Sequence, residues 1–277
     1  MEDAGRIRPA FNAIWLFFEE RSNPMEHMEP GVYSEEAFLH FYDCDYRKHA
    51  KLSTLLKLFA ELAGADYTHK GLSHEHLWEE GLVFLLSRVS MRLHRIPQHQ
   101  ERLRMETWEH GKQGALFMRF ARMFDEQGVA VVDFKTAWLL CNPETRRIVR
   151  PSHFAEAQMQ REDKDVDAAE PGRIAFECTD ENRVGAREVR YSDIDANGHV
   201  YNAVYGDMAS DFALPAVFDG TVTDFAINFV SEAKLGDVID IHRGDDKGVC
   251  TLCGEENGRR CFEAQIVYRP VAQAGGH

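Results

Sequence analysis

The stretch from Val189 to Asn202 reads VRYSDIDANGHVYN, and it decides the fold because the chain holds an earlier counterpart of it. Residues 42–49 read YDCDYRKH and residues 192–199 read SDIDANGH, so both copies contain Asp-x-Asp-x-x-x-His. The two histidines stand at positions 49 and 199, an offset of 150 residues. A motif that recurs with similar surroundings indicates an internal repeat, so the sequence after each copy is the next test.

Apolar residues follow each copy of the motif at helical spacing. After His49 they recur at i, i+3, i+4 and i+7, which predicts a largely buried helix from Leu52 to Ala63. After His199 a similar pattern runs from Val200 to Phe212 and is expected to end before Pro215, which cannot continue a helix.

Four strand-like segments then follow each predicted helix, and their turns contain glycine. In the first half the predicted strands are Leu82–Leu93, Glu101–Glu109, Ala115–Asp125 and Ala130–Leu140. In the second half they are Asp224–Glu232, Asp237–Arg243, Val249–Gly254 and Arg260–Tyr268. Asn257-Gly258 between apolar runs is a strong hairpin signal, and short hairpin loops imply antiparallel pairing.

The pattern predicts an α+β fold of two similar halves, each a long central helix wrapped by a curved antiparallel sheet, because such a helix needs a face to bury against. The polar segment before Pro171-Gly172 is typical of a linker. We predict an N-terminal extension (residues 1–30), a first domain (31–154), a linker (155–183) and a second domain (184–270).

Composition narrows the function classes. The chain has 46 acidic and 32 basic residues and a net charge of −14, which argues against nucleic-acid binding and adsorption to anionic membranes. No apolar stretch reaches the roughly 18 residues of a membrane span, and residues 1–30 lack the features of a secretory signal. We therefore expect a cytoplasmic protein.

Cysteine spacing raises the question of a metal. Cys250 and Cys253 have the spacing of half a zinc site, but only Cys261 lies close by. Side chains three apart in a strand also point to opposite faces. We expect no metal and no cofactor.

The combination of a wrapped helix with Asp-x-Asp-x-x-Gly-His-Val before it resembles the hotdog-fold thioesterases. Two such units in one chain resemble the acyl-ACP thioesterases of bacteria and plants, over about residues 33–270. In the first half, the stretches GLVFLLSR (81–88), ETW (106–108) and ETRRIVRP (144–151) carry this resemblance. It implies two tandem hotdog domains.

The resemblance also implies a reaction centre in the second domain. It places Asp195, Asn197 and His199 at the helix start and a glutamate on the following strand, which matches Glu232 in FVSEAKLGD (229–237). Plant members often carry cysteine after this glutamate, where this chain has Ala233. The family commonly has His-Val-Asn-Asn, whereas Tyr201 here resembles the acyl-CoA thioesterases.

These residue types suit thioester hydrolysis, which needs an activated water, a stabilised oxyanion and release of a thiol. Free N–H groups at a helix start can polarise the thioester carbonyl, and Glu232 is the candidate general base. Asn197 can hold the water or the carbonyl oxygen. Asp195 can fix the loop, orient His199 or itself be the base. The alternative for both Asp195 and Asn197 is an ordinary helix cap.

The first half lacks the full set, since Arg47 and Lys48 replace the asparagine and glycine, and Ile96 aligns with Glu232. We expect the first half to supply the acyl pocket. Candidate lining residues, for which core packing is the competing interpretation, are Leu55, Leu56, Phe59, Leu86 and Met91.

The resemblance implies acyl carrier protein (ACP) bearing a fatty acyl chain as the partner, and a homodimer is possible. An acidic carrier needs a local basic patch on this acidic chain. The candidate patches are Arg88, Arg92 and Arg95, or Arg146, Arg147 and Arg150. The alternatives are an acyl-CoA thioesterase on the same fold and a non-hydrolytic acyl-binding or dehydratase-like hotdog protein.

Overall fold

A computed structural model describes residues 29–150, 161–213 and 220–270. The helices are α1 (Leu52–His69), α2 (His74–Glu79) and α3 (Asn202–Phe212). The strands are β1 (Val32–Phe38), β2 (Val83–Leu93), β3 (Arg102–Gln113), β4 (Leu116–Phe124), β5 (Ala130–Cys141), β6 (Arg183–Glu188), β7 (Gly220–Phe229), β8 (Val238–Asp246), β9 (Val249–Glu256) and β10 (Arg259–Pro270). Most of the predicted N-terminal extension, the start of the predicted linker and Pro215 lie outside the described residues.

The ten strands form one antiparallel sheet in the order β1-β3-β4-β5-β2-β7-β10-β9-β8-β6. The predicted strands of each half are all present, and an additional strand, β1 or β6, forms each outer edge of the sheet. The halves join through β2 and β7, from Arg88 opposite Asn228 to Arg92 opposite Asp224. Arg92 also forms an ion pair of 2.8 Å with Asp224 across this junction.

The two long helices lie on the inner face of the sheet and pack against each other. Leu55 and Phe59 of α1 are fully buried, and the Phe59 ring stacks on Phe134 at a centroid distance of 5.2 Å. A Cβ at Gly206 of α3 would lie 3.4 Å from the Ser53 backbone. Glycine at this position therefore allows the two helices to approach closely.

The internal repeat is structural as well as sequential. Helices α1 and α3 begin at Leu52 and Asn202, again 150 positions apart. The N–H of Ala50 donates to the carbonyl of Pro97 at 2.8 Å, and the N–H of Val200 donates to Ala233 at 2.9 Å. Equivalent backbone hydrogen bonds thus tie the loop before each helix to the segment after a strand.

Residues 161–171 of the predicted linker pack on the outer face of the first half. Trp108 donates its ring N–H to the Lys164 carbonyl at 3.0 Å, and Val166 is buried beside it. Lys135 forms ion pairs of 2.7 Å with Asp165 and with Glu170. This segment is therefore part of the folded structure and not a free tether.

A charged cluster lies beneath α1, where the sequence pattern predicted only apolar packing. Arg119 of β4 is fully buried, pairs with Asp66 of α1 at 2.8 Å and with Glu109 of β3, and lies over the Tyr67 ring. Burial disfavours the charge on Arg119, but Glu109 and Asp66 outweigh it and raise the pKa of the guanidinium.

None of the helices in the described ranges has the length and apolar character needed to cross a membrane.

Candidate active site

The loop before α3 is organised by the carboxylate of Asp195. One of its oxygens accepts the backbone N–H of Asn197 at 2.8 Å and that of His199 at 3.3 Å. The Asp195 N–H in turn donates to the His199 carbonyl at 2.9 Å. Gly198 has a φ of +80°, a left-handed conformation that favours glycine. The loop therefore presents the His199 side chain in a fixed direction.

The first half builds the same loop with different side chains. Asp45 accepts the N–H groups of Arg47 and His49 at 2.8 and 2.9 Å, and Lys48 takes the left-handed position of Gly198 with a φ of 65°. The shared aspartate is thus accounted for by loop geometry in both halves. It closes the turn as such residues do in Asx turns.

The two strongest candidates for chemistry meet at this loop. Nε2 of His199 lies 3.2 Å from Oε2 of Glu232. Nη1 of Arg146 donates to the same carboxylate oxygen at 2.9 Å. The Glu232 side chain is 38% exposed and His199 is 22% exposed, so both remain accessible to substrate and water.

The candidate site residues lie just outside the helix and the strand in which the sequence places them. Helix α3 begins at Asn202, so Asp195, Asn197 and His199 lie in the preceding loop and not in the first helical turn. Strand β7 ends at Phe229, so Glu232 lies beyond the strand. Both segments are irregular because they bond to each other, through Val200 N–H and the Ala233 carbonyl, and not within an element.

Asn197 is exposed at the cleft, and within the described residues its side-chain amide has no hydrogen-bond partner. That amide is therefore free to bind a water or a carbonyl oxygen.

Two tyrosines, Tyr201 and Tyr205, also border the cleft. Burial and then the charge of Glu61 raise the pKa of Tyr201 to about 12, and burial also raises the pKa of Tyr205. Both phenols stay protonated near neutral pH and can only act as neutral groups.

A cleft of about 2070 Å³ connects this site to the first half. Its apolar wall comes from α1, α2, the loop between these helices, β2 and β5, with Leu56, Leu72, Leu77, Trp78, Phe84, Leu86 and Trp138. Of the five predicted lining residues, Leu56 and Leu86 border the cleft. The others, Leu55, Phe59 and Met91, lie in the closed core and do not border it. Helical periodicity identifies the apolar stripe of α1 but not which part of the stripe faces a cavity.

The equivalent site in the first half is incomplete. The Ala50–Pro97 hydrogen bond matches the Val200–Ala233 bond, so Ile96 occupies the position of Glu232. His49 consequently has no carboxylate at that position, and its buried Nδ1 lacks a hydrogen-bond partner among the described residues.

The two cysteines with the spacing of half a zinc site face opposite sides of strand β9, and Cys253 lies beside Cys178. Cys250 lies in the core between helix and sheet, and Cys253 of β9 lies opposite His242 of the neighbouring strand β8. His242 and Glu255 approach Cys178, but Arg260 donates to both Cys178 and Glu255 at 3.3 Å. The guanidinium already supplies the positive charge that a metal ion would bring to this cluster.

The two predicted basic patches differ in their environment. Arg88 donates to the Pro171 carbonyl, Arg92 pairs with Asp224, and Arg95 pairs with Glu101 and Asp125. This first patch is therefore occupied by internal contacts and does not form a free docking surface. Arg147 and Arg150 are exposed beside the cleft residue Arg146.

Comparisons with known proteins agree with this architecture. The family model described as "Acyl-ACP thioesterase N-terminal domain" matches residues 30–153, and that described as "Acyl-ACP thioesterase C-terminal domain" matches residues 177–268. A comparison with curated protein sequences finds no match.

Three solved structures share the fold over most of both chains. An acyl-ACP thioesterase from Bacteroides thetaiotaomicron is 19% identical, with a TM-score of 0.79, covering 86% of this chain and 98% of that one. A putative oleoyl thioesterase from Lactobacillus plantarum is 24% identical, with a TM-score of 0.74 and coverages of 87% and 97%. The 12:0-ACP thioesterase from Umbellularia californica is 14% identical, with a TM-score of 0.76 and coverages of 88% and 100%.

The fold is a tandem hotdog of the α+β class, as the sequence predicted. The chain belongs to the acyl-ACP thioesterase family, whose two domain models together span most of its length.

Sequence reasoning missed two arginines at the site. The sequence marks Arg146 only as part of a candidate basic patch, and it gives no signal for Arg259. Arg259 donates to the backbone carbonyl of Glu232 at 2.9 Å. Neither has a spacing relation to the histidine motif, because Arg146 comes from the other half and Arg259 from the last strand.

Proposed function

We propose that this chain hydrolyses fatty acyl-ACP to free fatty acid and the carrier thiol, in the cytoplasm. The observation that supports this most is the contact of His199 with Glu232 at the mouth of a large, partly apolar cleft. An acyl chain needs such an apolar wall, and the thioester carbon must then lie near a group that activates water.

In the proposed reaction, a water molecule attacks the thioester carbonyl carbon through its oxygen, and the carboxylate of Glu232 accepts a proton from that water. The tetrahedral intermediate collapses, the carbon–sulfur bond breaks, and the sulfur leaves with the electron pair. A proton returned from the site gives the free thiol. His199 contacts the carboxylate and can relay this proton, since an imidazole has one nitrogen that can accept a proton and one that can donate it.

The exposed side-chain amide of Asn197 is placed to bind the carbonyl oxygen as it gains negative charge. Such donors accelerate acyl transfer when they are fixed before the reaction. Asp195 contributes by holding the loop, because its carboxylate already accepts two backbone N–H groups. Ala233 follows Glu232, so no cysteine nucleophile stands at that position.

The two halves of the chain have different roles in this proposal. The first domain (31–154) supplies the acyl-binding wall, in which Leu56 and Leu86 border the cleft. The second (184–270) supplies the water-activating residues. The net charge of −14 disfavours an acidic carrier over most of the surface, and the exposed Arg147 and Arg150 beside the cleft are the proposed docking site.

A panel of acyl-ACP and acyl-CoA substrates of varied chain length tests the carrier. We expect thiol release with the higher kcat/KM on acyl-ACP, and acyl-ACP should inhibit hydrolysis of acyl-CoA. A higher kcat/KM on acyl-CoA at every chain length would favour the acyl-CoA thioesterase alternative. Binding of acyl thioesters without thiol release would favour the non-hydrolytic one.

A further inference from the structure

The carboxylate of Glu232 is held from the opposite half of the molecule. Arg146 lies in the loop that follows β5 of the first half, 86 residues before Glu232, and its Nη1 donates to Oε2 of that glutamate at 2.9 Å. His199 approaches the same oxygen at 3.2 Å. Within the described residues, the other oxygen, Oε1, has no hydrogen-bond partner. Two cationic or donor groups therefore fix one oxygen and leave the second for water.

The loop that carries Arg146 is built to hold its shape. Oδ1 of Asn142 accepts the Thr145 N–H at 2.8 Å and the Thr145 hydroxyl at 2.9 Å. The Asn142 amide donates to the Gly81 carbonyl at 3.0 Å, which anchors the loop to the start of β2. The Arg146 N–H donates to the Asn142 carbonyl at 2.9 Å. The guanidinium therefore projects from a fixed base, although its side chain is 68% exposed.

The backbone of Arg146 also has a strained conformation. Its φ is 55°, in the left-handed region where a residue with a Cβ is uncommon and glycine is favoured. Nothing about the turn requires an arginine there, and glycine would close it with less strain. Lys48 and Lys247 share this positive φ, so the strain alone assigns no role. What distinguishes Arg146 is the contact of its guanidinium with the carboxylate of the candidate base.

We infer that Arg146 is a positioning residue that orients the Glu232 carboxylate, so that the reaction centre is assembled from both halves of the chain. This rests on the proposed role of Glu232 in hydrolysis. Arg259 holds the Glu232 backbone carbonyl, and Arg146 with His199 holds its side chain. A long glutamate side chain at a partly exposed site otherwise samples several rotamers, most of which aim away from the water.

Replacement by glycine tests the inference without risk to the fold, because glycine adopts a positive φ freely. For Arg146→Gly we expect a thermal midpoint equal to or above that of the wild type. On the acyl thioester that the wild type hydrolyses fastest, kcat should fall roughly ten- to hundredfold, as for a misplaced catalytic group. KM should stay within about twofold, because uniform substrate binding is unaffected.

A matched control is Lys247→Gly. Lys247 is also an exposed cation with a positive φ, 46°, in the β8–β9 turn, and it does not border the cleft. The Lys247→Gly variant should therefore have the kcat of the wild type. Arg146→Lys should give an intermediate kcat, since a lysine keeps the charge but loses the planar fork of donors.

Added guanidinium chloride, below the concentration at which the protein begins to unfold, distinguishes positioning from a structural role. It should restore part of the kcat of Arg146→Gly and have no such effect on Lys247→Gly. A wild-type kcat in Arg146→Gly would overturn the inference, and so would a rise in KM alone. A loss of kcat that guanidinium does not restore, together with a lower thermal midpoint, would assign Arg146 a structural role instead.

Glu232→Gln, measured in parallel, separates the two proposals. If Glu232→Gln is inactive and Arg146→Gly is fully active, only the role of Arg146 is wrong. If Glu232→Gln is fully active, the proposed function of Glu232 is wrong.

Discussion

Nε2 of His199 lies 3.2 Å from Oε2 of Glu232, although one residue precedes α3 and the other follows β7. The contact is direct, so a reacting water does not lie between the two side chains. The water must approach Oε1, the oxygen that has no hydrogen-bond partner among the described residues. His199 therefore orients Glu232 as a base, and the two side chains do not share a bridging water.

Asp195 is predicted to act through the loop and not as the base. Asp195→Asn keeps an oxygen that accepts the Asn197 and His199 N–H groups, so most of kcat should remain. Asp195→Ala loses both bonds and should lower the free energy of unfolding by about 0.5–2 kcal/mol and also lower kcat. Steady-state kinetics and urea unfolding measure the two effects. Equal loss of kcat in both variants would show that the charge itself takes part in catalysis.

The first half offers a matched control for this prediction. Asp45 holds its loop with the same two backbone contacts, at 2.8 and 2.9 Å. Asp45→Ala should therefore destabilise the protein about as much as Asp195→Ala. Its kcat should not change, because Ile96 stands where the second half has Glu232.

Gly64 is predicted to help set the longest acyl chain accepted. It lies on the cleft side of α1, and a Cβ there would meet nothing within 4 Å. Gly64→Ala should stabilise the helix by about 1 kcal/mol. Gly64→Leu should fill the cleft and lower kcat/KM for the longest good substrate roughly tenfold while sparing shorter chains.

An acyl-length series measures this shift. Lys57→Leu places the same side chain on an exposed part of α1 that does not border the cleft, and it should leave the profile unchanged. An identical chain-length profile for Gly64→Leu and the wild type would place the acyl chain elsewhere.

Asp133 is predicted to contribute stability that acid removes. Its carboxylate is fully buried and accepts from Arg122 at 2.6 and 3.0 Å and from the Asp167 N–H at 2.8 Å, with His94 at 3.1 Å. Burial acts to raise the pKa of Asp133, but the bonds from Arg122 and His94 outweigh it and lower that pKa. Since the folded pKa lies below the unfolded value, the stabilisation is complete above about pH 4 and is lost as pH falls through the folded pKa.

Urea unfolding at several pH values tests this prediction. Asp133→Asn should cost about 3–5 kcal/mol at pH 7, because it leaves Arg122 without its partner. The difference from the wild type should shrink below about pH 4. The exposed pair of Asp240 with Arg183 is the control, since Asp240→Asn should cost about 0–1 kcal/mol. A pH-independent difference for Asp133→Asn would contradict the assignment.

The exposed pair Arg147 and Arg150 is predicted to contact the carrier. These arginines flank Ile148, which is 54% exposed, and lie next to the cleft residue Arg146. The double variant Arg147→Glu with Arg150→Glu should lower kcat/KM for acyl-ACP roughly tenfold, and added salt should reduce the difference. A small synthetic acyl thioester should react at the wild-type rate. Equal losses on both substrates would remove this surface as the docking site.

The repeated motif made much of the fold predictable. Both loops depend on local bonds of one aspartate, Asp45 or Asp195, and both helices follow at a fixed offset, so local sequence carried the information. The position of Glu232 comes from the family resemblance, and in the structure its carboxylate lies 3.2 Å from His199. The edge strands β1 and β6 were missed because exposed, charged strands show weak apolar alternation.

Other features depend on pairings that no local pattern encodes. The junction of β2 with β7 brings Arg92 to Asp224 only after both halves have folded. Arg146 reaches Glu232 for the same reason, since the two come from different halves. The inward-facing Arg119 contradicts the rule that cores are apolar, and it is tolerated because Asp66 and Glu109 compensate its charge.

Thiol release from acyl-ACP by Glu232→Gln is the decisive test of the reaction centre assigned to Glu232 and His199. Glu61→Gln is the control, because Glu61 also borders the cleft but does not contact His199. We predict that Glu232→Gln folds normally and loses at least about a hundredfold in kcat, in the range expected for a general base, while Glu61→Gln keeps the wild-type rate. A Glu232→Gln enzyme that releases thiol at the wild-type rate would contradict the assigned centre.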